Sequence, residues 1–361
     1  METKPQFIWD IGTAYDLFTS LEVLHDPRRY GLRGNWAAGV RSRIPAKQRE
    51  FLQESNNNHH TWSLPWLVSL PHPKNSATIL ERLDEIPPED RLKVMTDCYM
   101  PEEMQEILEN VAARKSWTKS EKATLLDILT KMYQKEKKKK KVPEKDVVNT
   151  LELWANAGEF GEKWLDALKV YYEVFFQEEE ARILPMLEKS AERAKAKIDD
   201  LPLDELLHDL SQGLRFDYEG VEDMKELVMI PSFWTTPLTY FGLGGKNKEK
   251  WIFLYGARPD NVSLVPGEMV PELLHNTLKA MADPTRLRIL RYLSEEPLTP
   301  AELARRLRLR PPTVIHHLDA LRLARLVDLT LSYQGRRYAA RREAIEATCA
   351  QLNAFLDGES E

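Results

Sequence analysis

Two short helical patterns separated by three residues, late in a chain of 361, constrain its fold more than anything else in it. Pro300-Ala-Glu-Leu-Ala-Arg-Arg-Leu307 turns Leu303, Ala304 and Leu307 inward. The second pattern starts at Pro311-Pro312 and sets Val314, Leu318 and Leu321 on one face at i, i+4, i+7 spacing. At the helical repeat its opposite face carries Pro312, His316, Asp319, Ala320 and Leu323, with Thr313 and Ile315 on the flanks. An ordinary amphipathic helix has the same stripe, so the stripe alone does not decide its role. The spacing does more, because Arg308-Leu-Arg310 leaves room only for a tight turn between the two helices.

The flanks complete a unit. Asp283 is placed to cap a helix that opens at Pro284, buries Leu287, Leu290 and Leu293, and exposes Arg288 and Arg291. Downstream, Val327-Asp-Leu-Thr-Leu-Ser-Tyr333 alternates at period two, Gln334-Gly335 makes a turn, and Arg336-Arg337-Tyr338 returns as the partner strand. That arrangement predicts a winged helix-turn-helix: a helix over 311–323 shaped for a DNA major groove, and a wing over 327–340 with two arginines at its tip for phosphates or the minor groove.

From about Leu273 to Leu356 the chain resembles the ArsR-type winged-helix transcriptional repressors. The resemblance is carried by Ala280-Met-Ala-Asp-Pro-Thr-Arg-Leu-Arg-Ile-Leu290, by Thr313-Val314 with His316-His317-Leu318, and by Leu321-Arg322 and Leu326-Val327. More loosely, Tyr15-Asp-Leu-Phe-Thr-Ser-Leu-Glu-Val-Leu-His-Asp-Pro27 is similar to the start of longer members with an extra N-terminal region. The DNA contacts expected are Arg310, Thr313, His316 and Arg322 on the second helix, and Arg336 and Arg337 on the wing. Two departures matter. Pro311 and Ile315 stand where the family commonly has Gln and Ser, which removes hydrogen-bonding side chains from the reading helix. Thr299 and Ala301 stand where metal-sensing members carry a Cys pair, and no His follows His317, so neither a metal site nor a cofactor is expected. The resemblance also implies a homodimer through the helices flanking the unit. Their apolar faces are Leu273, Leu274, Leu278 and Met281 before it, and Ile345, Cys349, Leu352, Phe355 and Leu356 after it. Packing of these faces on the chain's own N-terminal region is the competing reading.

Charge agrees with double-stranded DNA as partner. The chain carries a net −6, yet residues 284–342 hold 13 arginines against five acids, a local +8. Phosphate neutralisation requires such a concentration, although a solvated charged face produces it too. No run of 18 apolar residues and no apolar signal core after Met1 appear, and the only cysteines are Cys98 and Cys349. A cytoplasmic location with free thiols and no membrane partner is the expectation. No Ser-His-Asp spacing, paired-carboxylate signature or nucleotide loop argues for an enzyme.

The rest divides by texture into a helical region over 1–215, a β-containing connecting segment over 216–271 and the winged helix over 272–361. The fold class expected is mainly α with small antiparallel β elements. In the helical region a helix is read over Ile11–Leu24, and the longest pattern runs from Glu162 to Asp199 with a bend near Pro185. Trp164, Leu168, Tyr171, Tyr172, Phe175 and Phe176 form an aromatic stripe along it, read as core or, more sharply, as a pocket for a small apolar effector. The basic run Lys137–Lys141 and the histidines His59, His60 and His72 read as solvated loops. Leu227–Ile230, Leu238–Phe241 and Trp251–Tyr255 read as strands, Gly242-Leu-Gly-Gly245 as a hairpin loop, and Val265-Pro-Gly267 as a linker. The function expected is a one-component, DNA-binding transcriptional regulator, a repressor, controlled by an apolar molecule or a protein effector. The alternative is a protein-interaction or scaffold module whose winged helix no longer reads DNA.

Overall fold

The structure, a computed structural model, describes residues 4–357 apart from 33, 59–62, 97–99, 136–141, 218–220, 222, 246–247, 263, 265–269 and 333–334. His59, His60, Cys98, the basic run 137–141, the linker Val265–Gly267 and the turn residue Gln334 therefore lie outside the described residues.

In chain order, strand β1 (Gln6–Trp9) precedes α1 (Ala14–His25) and α2 (Gly34–Arg43). Then come α3 (Ala46–Asn58), α4 (Leu64–Ser69), α5 (Ser76–Glu85), α6 (Pro88–Thr96), α7 (Glu102–Arg114), α8 (Lys119–Lys135), α9 (Glu144–Ala155) and α10 (Ala157–Tyr171). A π-helical turn at Tyr172–Phe176 leads into α11 (Gln177–Lys197) and α12 (Leu203–Leu210). After β2 (Leu214–Asp217), β3 (Glu226–Ser232), β4 (Thr239–Leu243) and β5 (Lys250–Gly256), the chain ends with α13 (Glu272–Met281), α14 (Pro284–Leu293), α15 (Pro300–Leu307), α16 (Pro311–Leu323), β6 (Val327–Ser332), β7 (Gly335–Ala340) and α17 (Arg342–Leu356). No helix among the described residues is long and apolar enough to cross a membrane.

The chain forms two compact units, 42–177 by itself and 1–41 together with 178–361. The division by element type into 1–215, 216–271 and 272–361 does not coincide with these units, because β1 pairs with β3 and β2 with β6 across its boundaries. Residues 42–177 form an all-helical unit in which α10 packs against α3, α5, α6 and α9. Trp164, Leu168, Tyr171 and Phe176 are fully enclosed there, and Phe175 nearly so. These five residues of the aromatic stripe are therefore core, whereas Tyr172 is half-buried and lines a cleft together with Leu80, Lys169 and Gln177. Close packing also explains Gly161, since a Cβ there would lie 2.0 Å from the carbonyl oxygen of Pro88. Pro185 stays inside α11, which runs on through it.

In the other unit the expected strands exist, but their pairing differs from the antiparallel expectation. The order is β1-β3-β5-β4, with β1–β3 and β3–β5 parallel and only β4–β5 antiparallel. The physical reason is visible in burial. Leu227–Ser232 of β3 and Trp251–Tyr255 of β5 are buried without interruption, so both sheet faces are covered and no alternation marks an exposed side. Such strands read alike in either direction. β1 and β2 were not read as strands at all, being four residues each.

One buried carboxylate ties α1 to this sheet. Asp16 accepts hydrogen bonds from Ser232 Oγ at 2.7 Å and from the backbone N–H groups of Phe233 at 3.2 Å and Trp234 at 2.8 Å. Burial pushes its pKa up from 3.8 to about 6, against the downward pull of these three donors. A raised folded pKa means that the folded chain keeps this proton longer than the unfolded chain, so the contribution of Asp16 to stability falls as pH rises from 4 to 6. Urea unfolding of the wild type and Asp16→Asn across pH 4–7 should show their stability difference moving by roughly 3 kcal/mol in favour of the variant as pH rises. A difference independent of pH would refute the shift.

Candidate nucleic-acid interface

The C-terminal helices form where their caps dictate. Asp283 caps α14 by accepting from Arg286 N, with Pro284 in the first turn, and Arg286 then closes the end of α13 by donating to the carbonyls of Ala280 at 2.7 Å and Lys279 at 2.9 Å. Thr299 and Glu302 make a reciprocal capping box at the start of α15. That helix stops at Arg308, which takes a left-handed conformation with φ 58° and so turns the chain toward α16.

Arg310 occupies the N-cap position of α16 and makes no side-chain capping bond. None is needed. Pro311 and Pro312 have no N–H, and the next two donors, Thr313 and Val314, both bond to the Arg310 carbonyl, at 3.0 and 3.2 Å. The Arg310 side chain is left exposed, with no hydrogen bond or ion pair among the described residues. Val314, Leu318 and Leu321 are wholly buried, in one core with Ile289, Leu303, Leu307, Leu326 and Tyr338. The outer face of α16 consequently shows Arg310, Pro311, Pro312, Thr313, Ile315, His316 and Asp319 to solvent.

Of the six expected contact residues, Arg310, Thr313 and His316 share this exposed face, and Arg336 and Arg337 are exposed on the wing. Arg322 is not on it, which corrects the expectation. It is buried, and its Nη2 donates to the Ser211 carbonyl at 3.3 Å. The signal was in the spacing: residue 322 lies four beyond Leu318 and so on the inward stripe. Burial holds its pKa down at about 10, with Arg341 and Arg325 adding to the effect.

The wing arginines also separate. As neighbours on β7 they leave opposite faces of the strand. Arg337 donates to the Pro297 carbonyl at 3.1 Å and stands 4.0 Å from Glu302. Arg336 is close enough to Asp319 of α16 to offset part of the rise that burial gives that carboxyl. Two further cations escaped the sequence reading. Arg305 and Arg308 are exposed, and their side chains have no hydrogen-bond or ion-pair partner among the described residues. The inward set Leu303, Ala304 and Leu307 implies that they point out. Among the described residues no group of three or more His, Cys, Asp or Glu could hold a metal ion.

The wing is not a plain hairpin. β2 pairs in parallel with β6, from Leu214↔Leu329 to Asp217↔Ser332, giving the sheet order β2-β6-β7. Leu214 enters the core beneath α16, and Phe216 packs against that core and against the β3–β5 core alike. Polar groups fasten the same segment: His208 Nε2 lies 2.8 Å from Asp328 Oδ1, and Arg341 Nη1 donates to the Gln212 carbonyl at 2.8 Å. Gly213, at φ 107°, passes so close that a Cβ would meet Asp328 Oδ1 at 2.9 Å.

The flanking faces are only partly open. α13 and α17 pack together, Leu274 is buried, and Asn276 donates to the Gly31 carbonyl at 2.8 Å, so the N-terminal segment covers some of α13. On α14 Leu287, expected inward, is instead 50% exposed while Ile289 is buried; on α17 Leu356 is 70% exposed, and Cys349 is exposed as a free thiol.

Residues 283–328 match the family model described as bacterial regulatory protein, arsR family, which spans α14, α15, α16 and the start of β6. No curated protein and no solved structure matches the chain. The matched residues hold the helix-turn-helix pair α15 and α16 together with α14.

The burial pattern separates structural from surface arginines. Arg322→Ala should cost about 2 kcal/mol through lost packing and an unpaired carbonyl. Arg336→Ala should leave the melting temperature within ~2 °C of wild type. Equal losses in the two variants, read by thermal unfolding, would contradict this assignment.

Proposed function

We propose that this chain, whose C-terminal module is an ArsR-type helix-turn-helix, is a DNA-binding transcriptional regulator that acts as a repressor. The observation that carries the reading is the outward face of α16. Arg310, Thr313 and His316 project together from a helix held by its buried stripe; Arg305 and Arg308 stand nearby with no ion-pair partner among the described residues, and Arg336 stands near Asp319. Guanidinium groups reach phosphates and guanine edges, His316 can donate to or accept from a base, and Ile315 offers an apolar contact for a thymine methyl group. Pro311 and Ile315 bring no hydrogen-bonding side chain, so cationic contacts carry most of the affinity. Strong salt dependence follows.

Binding of a promoter fragment from the chain's own operon, followed by fluorescence anisotropy at several salt concentrations, tests this. Arg310→Ala combined with Arg336→Ala should weaken binding ~10-fold or more and lower the slope of log K against log salt by about 2. No binding at low salt, or an unchanged slope, counts against DNA contact through these residues. A second reading, a protein-interaction or scaffold module, draws on Ile315, which is 41% exposed at the centre of the outward face of α16. Failure to shift any fragment of genomic DNA favours it.

Two copies are proposed to pair through α13 and α17, presenting two reading helices to half-sites about one helical turn apart. The exposed Leu356, with Ile345, Cys349 and Leu352 along one side of α17, supports this. Leu356→Glu should raise the dimer dissociation constant ~10-fold or more. Sedimentation that shows an unchanged mass would place the dimer contact elsewhere.

A further inference from the structure

A cleft of about 890 Å³ opens beside the C-terminal end of β5, walled by α11, by residues 256–261, and by parts of α13 and α17. Its position follows from the sheet: parallel strands leave a crevice beyond their carboxyl ends, where the chain diverges. Its lining is strongly one-signed. Arg182, Lys189, Arg193, Lys197 and Arg258 face a single carboxylate, Asp260. Arg182 pairs with Glu179, Lys197 with Asp209, and Asp260 with Arg325. Lys189, Arg193 and Arg258 remain without an ion-pair partner among the described residues.

Arg258 is the unusual member. It is only 8% exposed, and its Nη1 is buried with no hydrogen-bond partner among the described residues. A buried guanidinium with an unmet N–H is costly and is ordinarily avoided. Nη2 makes a long bond to the Thr236 carbonyl at 3.4 Å, and the ring of Phe233 lies 5.8 Å from the guanidinium carbon. Burial and the nearby Arg325 hold its pKa down at about 10, with Glu272 and Asp260 acting in the opposite sense. Unpaired cations at the wall of a roomy cleft, one of them buried, call for an anion.

We propose that this cleft is a binding site for a small organic phosphate, its dianionic head between Lys189, Arg193 and Arg258 and its body against Met186, Leu274 and Phe355. Lys189 and Arg193, with no ion-pair partner among the described residues, and the unmet Nη1 of Arg258 match a doubly charged head, and the three apolar side chains leave a place for a carbon skeleton. Asp260 on the cleft wall pairs with Arg325, two residues beyond α16, so the ligand would sit one ion pair from the reading helix. The site goes beyond the DNA-binding reading and stands or falls without it, because its test contains no DNA.

Isothermal titration of the full-length protein with phenyl phosphate, inorganic phosphate and succinate, at matched ionic strength, reads the site directly. Phenyl phosphate should bind at one site per chain, tighter than inorganic phosphate, and succinate should bind weakest. Lys189→Ala with Arg193→Ala, both exposed positions, should weaken phenyl phosphate ~10-fold or more. Arg258→Gln should abolish binding, provided circular dichroism shows that it folds; where it does not, the double variant alone decides. Absence of saturable binding, equal affinity in the double variant, or preference for succinate each overturns the assignment.

Discussion

The burial of Val314, Leu318 and Leu321 beneath α16 is the constraint on which the rest of the C-terminal module depends. Once these three sit against Ile289, Leu303 and Leu326, the rotation of the helix about its axis is fixed, and with it the set of side chains shown to solvent. The left-handed Arg308 and the proline pair add the direction of approach without spending side chains on capping. Thr313, His316 and Arg310 are therefore presented by the packing of residues that touch nothing outside the protein. Rigid presentation of this kind is what base-edge recognition requires, since a misplaced donor forfeits its geometry.

Arginine, so abundant here, divides into two populations with different duties. Arg286, Arg322, Arg337, Arg341 and Arg342 donate to backbone carbonyls, several of them at helix ends. Arg306 and Arg325 are held by Glu296 and Asp260. The planar, multi-donor guanidinium suits this internal work as well as it suits phosphate. A local net charge counts both populations alike, and so it overstates the cation surface available to a polyanion.

Much of the module was legible because its signals are local. The stripe of α16, the Asp283 and Thr299 caps, and the alternation of β6 each lie within a dozen residues and specify their elements nearly to the boundary. Arg322 was legible too, had its spacing from Leu318 been weighed against its charge. Pairing partners were beyond reach. β1 meets β3 across more than 200 residues, and β2 meets β6 across more than 100, with nothing in Gln-Phe-Ile-Trp or Leu-Arg-Phe-Asp to name the partner. The cleft around Arg258 was invisible for the same reason, its walls coming from four separate stretches of chain.

The parallel seam between β2 and β6 has a consequence for modularity. The wing strand is interior to its sheet, and the pocket under α16 is partly filled by Leu214 and Phe216, which precede the helix-turn-helix by some 70 residues. A fragment cut at the start of α13 would expose a raw strand edge and an emptied hydrophobic seat. The C-terminal module is thus no free-standing cassette to be grafted onto another protein: its smallest transferable form includes the clasp from α12 through β2.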